Sequence, residues 1–235
     1  MTENTKQGMT PGRLWNYIWK GGTIILLFYV LIAGLLYDVP RLRILNETIR
    51  ALHFHVPMWF SMIILFTISM VASIRYLLKT DQRLDATASA FVNTGLVLGT
   101  LGLVTGMAWA NYTWGEPWSN DPKQLMSLIA MAIYLAYVIL RMAIPAGDER
   151  ARVSAVFNIF AYAVMIPLLF ILPRLTDSLH PGNGGNPGFN AYDLDSKLRA
   201  VFYPAVIAWT GLGIWISTLS VRLQKVRLQL EDLDA

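Results

Sequence analysis

Apolar residues fall in six blocks, about 21–37, 56–78, 88–110, 125–142, 153–172 and 201–220, and polar stretches between them hold most of the charge. Each block approaches the roughly 20 residues that a helix needs to cross about 30 Å of hydrocarbon. Backbone groups in lipid must bond within their own segment, so such blocks are expected to be helices. The pattern predicts an all-α polytopic membrane protein with six transmembrane helices, residues 1–235 forming a single domain. No strong internal repeat and no separate soluble domain stands out.

Composition agrees. The 235-residue chain is 55% hydrophobic and 14% charged, against about 25% charged for soluble domains. Net charge is +4, without the dense Lys/Arg block that tracks nucleic-acid phosphates. Cysteine is absent. That excludes disulfides, thiolate metal sites and covalent haem attachment through a CxxCH motif. No P-loop is present, so the chain does not drive transport by its own nucleotide hydrolysis, and residues 1–20 do not read as a cleaved leader.

Lys and Arg number twelve in the N-terminal segment, second loop, fourth loop and C-terminal tail, against seven in the first, third and fifth loops. The positive-inside rule then places both termini in the cytoplasm. Loops one, three and five face outward, and they carry all three histidines, His53, His55 and His180.

His55 precedes Val56-Pro57, and proline favours a first helical turn. His55 is therefore expected near the N-cap of the second membrane helix, where the dipole favours neutral imidazole over imidazolium. His53 ranks below it. His180 follows the fifth block, ahead of the glycine-rich Pro181–Gly188, which is expected to be mobile. Two imidazoles on one face could clamp an iron from both sides of a porphyrin. Zinc would need further carboxylate ligands such as Asp121 or Asp177. Trp114 and Trp118 flank Gly115 and Pro117 in a tight loop ending at Asp121-Pro122, where Asp121 also reads as a helix N-cap. The other tryptophans, Trp109 among them, read as belt or packing residues. Arg50 and Arg174 are candidates for the propionates of a haem, because Arg offers a two-pronged fork to a carboxylate.

Three segments resemble the CcmC (HelC) family of cytochrome c maturation proteins. Arg50–Pro57 resembles its HVP segment, with His55 as the family histidine. Gly102–Trp109, followed by Trp114-Gly115, Trp118 and Asp121, resembles the approach to its tryptophan-rich WWD loop. Ser178–Gly182 resembles the second histidine segment. The resemblance implies a bacterial inner-membrane protein that is not an enzyme. It would hold haem b at the periplasmic face through His55 and His180, rest the ring on the tryptophan loop, and deliver it to the haem chaperone CcmE. CcmD and the CcmA–CcmB ABC transporter are the implied partners. Pro117 and Asn120 stand where the family usually has tryptophan, so the aromatic platform is expected to be thinner. Two other readings remain open on the residues alone: a permease-type subunit of a haem ABC exporter, and a b-type membrane cytochrome.

Overall fold

A computed structural model describes residues 11–41, 45–180 and 194–234. The glycine-rich stretch 181–188 and its expected mobility lie outside these residues. The fold is all-α among the described residues: α1 Pro11–Leu36, α2 His55–Lys79, α3 Gln82–Trp114, α4 Pro122–Ala143, α5 Asp148–Phe170 and α6 Ser196–Asp234. Short 3-10 helices at Asn46–His53 and Leu172–Arg174 sit before α2 and after α5. Each of the six apolar blocks falls on one of these helices, the first and fifth running one and two residues past the ends of α1 and α5, and all six helices are long and apolar enough to cross a membrane. Most overrun the predicted span, α6 by the widest margin at 39 residues. Hydropathy marks the part that needs lipid, whereas the helix continues until a backbone signal ends it.

Those signals are local. Thr80 turns left-handed at φ 49° and Asp81 caps α3 by accepting from the Arg83 N–H at 2.9 Å, so two residues suffice to reverse the chain. Gly115, at φ 88°, ends α3 with its N–H on the Asn111 carbonyl; glycine takes that conformation without a Cβ penalty. Asp121 caps α4 with Pro122 at its first turn, as the sequence predicted. His55 is the first residue of α2 rather than its cap, which is Phe54.

The central pair is α2 and α3, with α6 and α5 packed against α2, α1 outside α6, and α4 against α5. Apolar packing in lipid gains little from the hydrophobic effect, so close backbone approach matters most. Glycines of α3 supply it. A Cβ at Gly95 would strike Phe66, one at Gly99 would strike Met131 and Met62, one at Gly102 would lie 3.0 Å from Trp59 Nε1, and one at Gly106 would strike His55. On α2 the partners His55, Trp59, Met62 and Phe66 form one helical stripe, and the glycines face it as a smooth groove. Phe66 has no room to retreat, because its ring stacks on Tyr134 with centroids 3.6 Å apart. By contrast Ile25, Phe28, Ile32 and Leu36 of α1 are more than half exposed, as suits a lipid-facing helix.

At the end of the bundle opposite His55, Arg141 grips Asp85 through Nη1 and Nη2, one to each carboxylate oxygen. Nearby, Asn158 Nδ2 donates to Ser69 Oγ at 2.7 Å and Ser73 Oγ at 2.8 Å. These buried polar bonds fix the register of α2, α3, α4 and α5. Gly95→Ala is expected to destabilise the detergent-solubilised protein by about 1–3 kcal/mol through overpacking. Gly21→Ala, where a Cβ meets open space, should be near neutral, and thermal unfolding curves of the two variants check this.

Candidate functional site

Helices that alternate in direction bring the start of α2, the end of α3, the start of α4 and the segment after α5 to one end of the bundle. His55 and His180 both lie there, with Trp114, Trp118 and Asp121 around them.

His55 is seated by α3. Its Nδ1 lies 2.7 Å from the Gly102 carbonyl. A carbonyl only accepts, so Nδ1 carries the proton and donates it, and Nε2 keeps the lone pair. The Thr105 hydroxyl donates to the Leu101 carbonyl and lies 3.1 Å from the same Gly102 oxygen. Gly106 leaves the space that the imidazole edge fills.

His180 is seated by a carboxylate. Its Nδ1 lies 2.9 Å from Asp121 Oδ1, so the ring donates Nδ1–H and again leaves Nε2 basic. Asp121 is 5% exposed. It also accepts from Lys123 N–H at 2.9 Å, Ser178 Oγ at 3.0 Å and Leu179 N–H at 2.7 Å. One side chain thus caps α4, ties down the 178–180 segment and orients an imidazole. Burial by itself would raise the Asp121 carboxyl, but the bonds from His180, Leu179 and Lys123 outweigh it and hold the group well below the usual carboxylate range.

Trp109 links the two seats. Its ring centroid lies 5.8 Å from the His180 ring and 4.9 Å from Trp114, and Trp114 stands edge-on to His180 at 4.8 Å. Trp109 also lines a cavity of about 400 Å³ together with His55, Arg50, Phe54, Thr105 and Tyr112. That volume falls within the roughly 300–1,000 Å³ of small-molecule sites. Tyr112, 80% exposed, marks the opening.

The remaining candidates separate. Arg50 lines the cavity, but its Nη1 donates to the Gly34 and Tyr37 carbonyls and its Nε pairs with Glu47 at 2.8 Å. It therefore caps the C-terminus of α1 as well. Arg174 is exposed and does not line the cavity. Trp118 donates its indole N–H to Asn120 Oδ1 at 2.8 Å. Asn120 sits at φ 53°, a conformation that asparagine tolerates better than tryptophan. Gly115 shapes the turn from α3. Gln124 braces the loop, with Oε1 accepting from the Ser119 N–H at 3.1 Å and Nε2 donating to the Pro117 carbonyl at 3.2 Å. His53 is 1% exposed, packs against Gly34 and does not line the cavity; its ring nitrogens make no hydrogen bond of good geometry among the described residues.

Sequence reasoning passed over Trp109, Tyr112, Thr105 and Gly106. The first three form an i, i+4, i+7 face of α3 that was legible in principle. Among the described residues no three His, Asp or Glu side chains cluster as a metal site. Because the folded Asp121 value lies below its ordinary 3.8, the stability it contributes is present above that value and is lost as pH falls below it. The unfolding free-energy difference between the wild type and Asp121→Asn should therefore not shrink until the pH drops below about 4, as denaturation across pH 3–8 would show.

The pattern of the family described as "Cytochrome C assembly protein" matches residues 14–180, most of the chain. "Heme exporter protein C" of Rhodobacter capsulatus is 24% identical over 227 residues, covering 96% of this chain and 91% of that protein. "Cytochrome c biogenesis protein CcsA" of Synechococcus sp. (strain CC9605) is 34% identical over 87 residues, 37% of this chain and 29% of that protein. CcsA of Prochlorococcus marinus (strain MIT 9303) is 36% identical over 87 residues, 37% of this chain and 27% of that protein. This chain thus aligns with less than a third of the CcsA proteins' length but with nearly all of heme exporter protein C. With six membrane-spanning helices and that end-to-end likeness, the chain belongs to the cytochrome c assembly protein family, as a CcmC-type member.

Proposed function

We propose that the protein holds haem b at the non-cytoplasmic end of the bundle and delivers it to the chaperone CcmE. The iron would be held by His55 Nε2 and His180 Nε2, with the ring against Trp109, which lines the cavity beside α3 and borders His180 and Trp114. The observation that carries this reading is the matched presentation of the two imidazoles. Each is anchored through Nδ1 to a fixed acceptor and so offers Nε2 to a metal, with one tryptophan spanning both. That is how proteins prepare histidine for ligation. Similarity to heme exporter protein C agrees with a haem-handling role in cytochrome c biogenesis.

Haem is cargo here, and its transfer is an exchange of iron ligands, so the protein is not an enzyme. His55 Nε2 and His180 Nε2 bind iron, and the apolar walls around Phe54, Ala51 and Ala108 exclude water from the ring. Arg50 is the one candidate arginine at the cavity and would meet a propionate there; Arg174 is placed to meet a partner or a headgroup instead. Trp118, Gly115 and Asp121 act by shaping the loop, with Asp121 reaching the cargo through His180. The protein lies in the bacterial inner membrane with both termini cytoplasmic, consistent with twelve cationic side chains on that side against seven. CcmD and CcmA–CcmB are its partners in the membrane.

The purified wild type should show the absorbance and EPR spectra of low-spin haem with two nitrogen ligands. His55→Ala combined with His180→Ala should remove most of the haem and abolish cytochrome c maturation. Full haem content and full maturation in that double variant would refute the assignment.

A further inference from the structure

We infer that the two imidazoles are unequal ligands, with His180 the stronger donor, so that the iron–His55 bond is the one that opens when haem is handed over. This rests on the haem reading above. The asymmetry is in the second partner of each ring. His55 donates its Nδ1–H to a neutral carbonyl, Gly102, whose oxygen also has the Thr105 hydroxyl 3.1 Å away. His180 donates its Nδ1–H to the buried carboxylate of Asp121. Hydrogen bonds to an ionised acceptor are about twice as strong as neutral ones. A carboxylate on Nδ1–H pushes electron density toward Nε2 and raises the basicity of the ring as a metal ligand.

The surroundings point the same way. The cavity that opens beside Tyr112 is lined by His55 and not by His180. His180 is backed by Trp109 and Trp114 and pinned by the bonds Asp121 makes to Ser178 and Leu179. The opening of the site therefore lies on the His55 side. In the exchange, the bond from iron to His55 Nε2 breaks and its electron pair returns to the imidazole. A lone pair from a nitrogen or oxygen donor on the acceptor protein forms the replacement bond. The oxidation state of iron does not change, and no proton moves, because Nδ1–H stays on the Gly102 carbonyl. Asp121 is thus a positioning residue that acts through His180, and it keeps the cargo tethered until the second bond is exchanged.

The test uses the haem-loaded full chain in the ferrous state. Carbon monoxide displaces the weaker axial ligand, and resonance Raman spectroscopy after photolysis reads the iron–histidine stretch of the ligand that remains. His55→Gly and His180→Gly, prepared with imidazole to keep haem in place, supply the two reference spectra. The wild type should coincide with His55→Gly. Asp121→Asn retains an N-capping side chain but lacks the charge. It should shift that stretch to lower frequency and speed haem loss to apomyoglobin by about 10-fold. Coincidence with His180→Gly, or an Asp121→Asn protein with wild-type stretch and loss rate, would overturn the inference while leaving haem binding intact. A wild type without a two-nitrogen low-spin spectrum would instead overturn the haem reading, and this inference with it.

Discussion

The close approach of α3 to α2 is the constraint on which the site depends. Four glycines, at 95, 99, 102 and 106, present a backbone groove to a stripe of large residues, Phe66, Met62, Trp59 and His55. Three of those contacts are packing. The fourth ends the same stripe with an imidazole. His55 is held by the register of the two longest-paired helices in the bundle, and toward the far end that register is fixed by Ser69 of α2, whose hydroxyl donates to the Ala88 carbonyl of α3 at 2.7 Å. A ligand on such a scaffold has little freedom to relax, and its bond to the Gly102 carbonyl sets both the ring plane and the tautomer. Glycine is needed here because the space a Cβ would take belongs to the ring.

The second half of the site is built differently. His180 lies on a short segment after α5, and its position comes from one carboxylate rather than from helix packing. Asp121 couples that segment to the start of α4, and the loop leading to Asp121 is braced by Gln124. One imidazole thus sits on a rigid helix pair and the other on a loop held by a polar hub, with Trp109 between them. A carrier that must both retain and release its cargo gains from this division, because one ligand can be exchanged without disturbing the packed core.

Six spans were legible because lipid imposes a length and an apolar composition that no soluble helix shares. The histidines stood out because the chain has only three, and their loops fall on one side by the count of cationic residues. Asp121 as a cap was legible from Pro122, but its grip on His180, 59 positions away, was not, since no local rule reports such a contact. Trp109 was read as a belt residue because tryptophan near a helix end usually is one. Only its place opposite His180 and beside His55 distinguishes it. Of the two loop tryptophans expected to form the aromatic platform, Trp114 stands against His180, whereas Trp118 bonds to Asn120, whose backbone is left-handed. Most helix ends lie beyond the predicted spans, those of α1 and α5 falling one and two residues short, because hydropathy measures where lipid is needed and says nothing about where a cap or a glycine stops the helix.

The central claim is that the glycine groove seats His55, and one substitution tests it directly. In Gly106→Ala a single added methyl occupies the space of the His55 ring edge while every proposed iron ligand remains in the sequence. The account predicts a folded, membrane-inserted protein whose ferric haem EPR signal changes from low-spin to high-spin, because the displaced imidazole loses both the Gly102 carbonyl and the iron. A Gly106→Ala protein with the wild-type low-spin spectrum would contradict it.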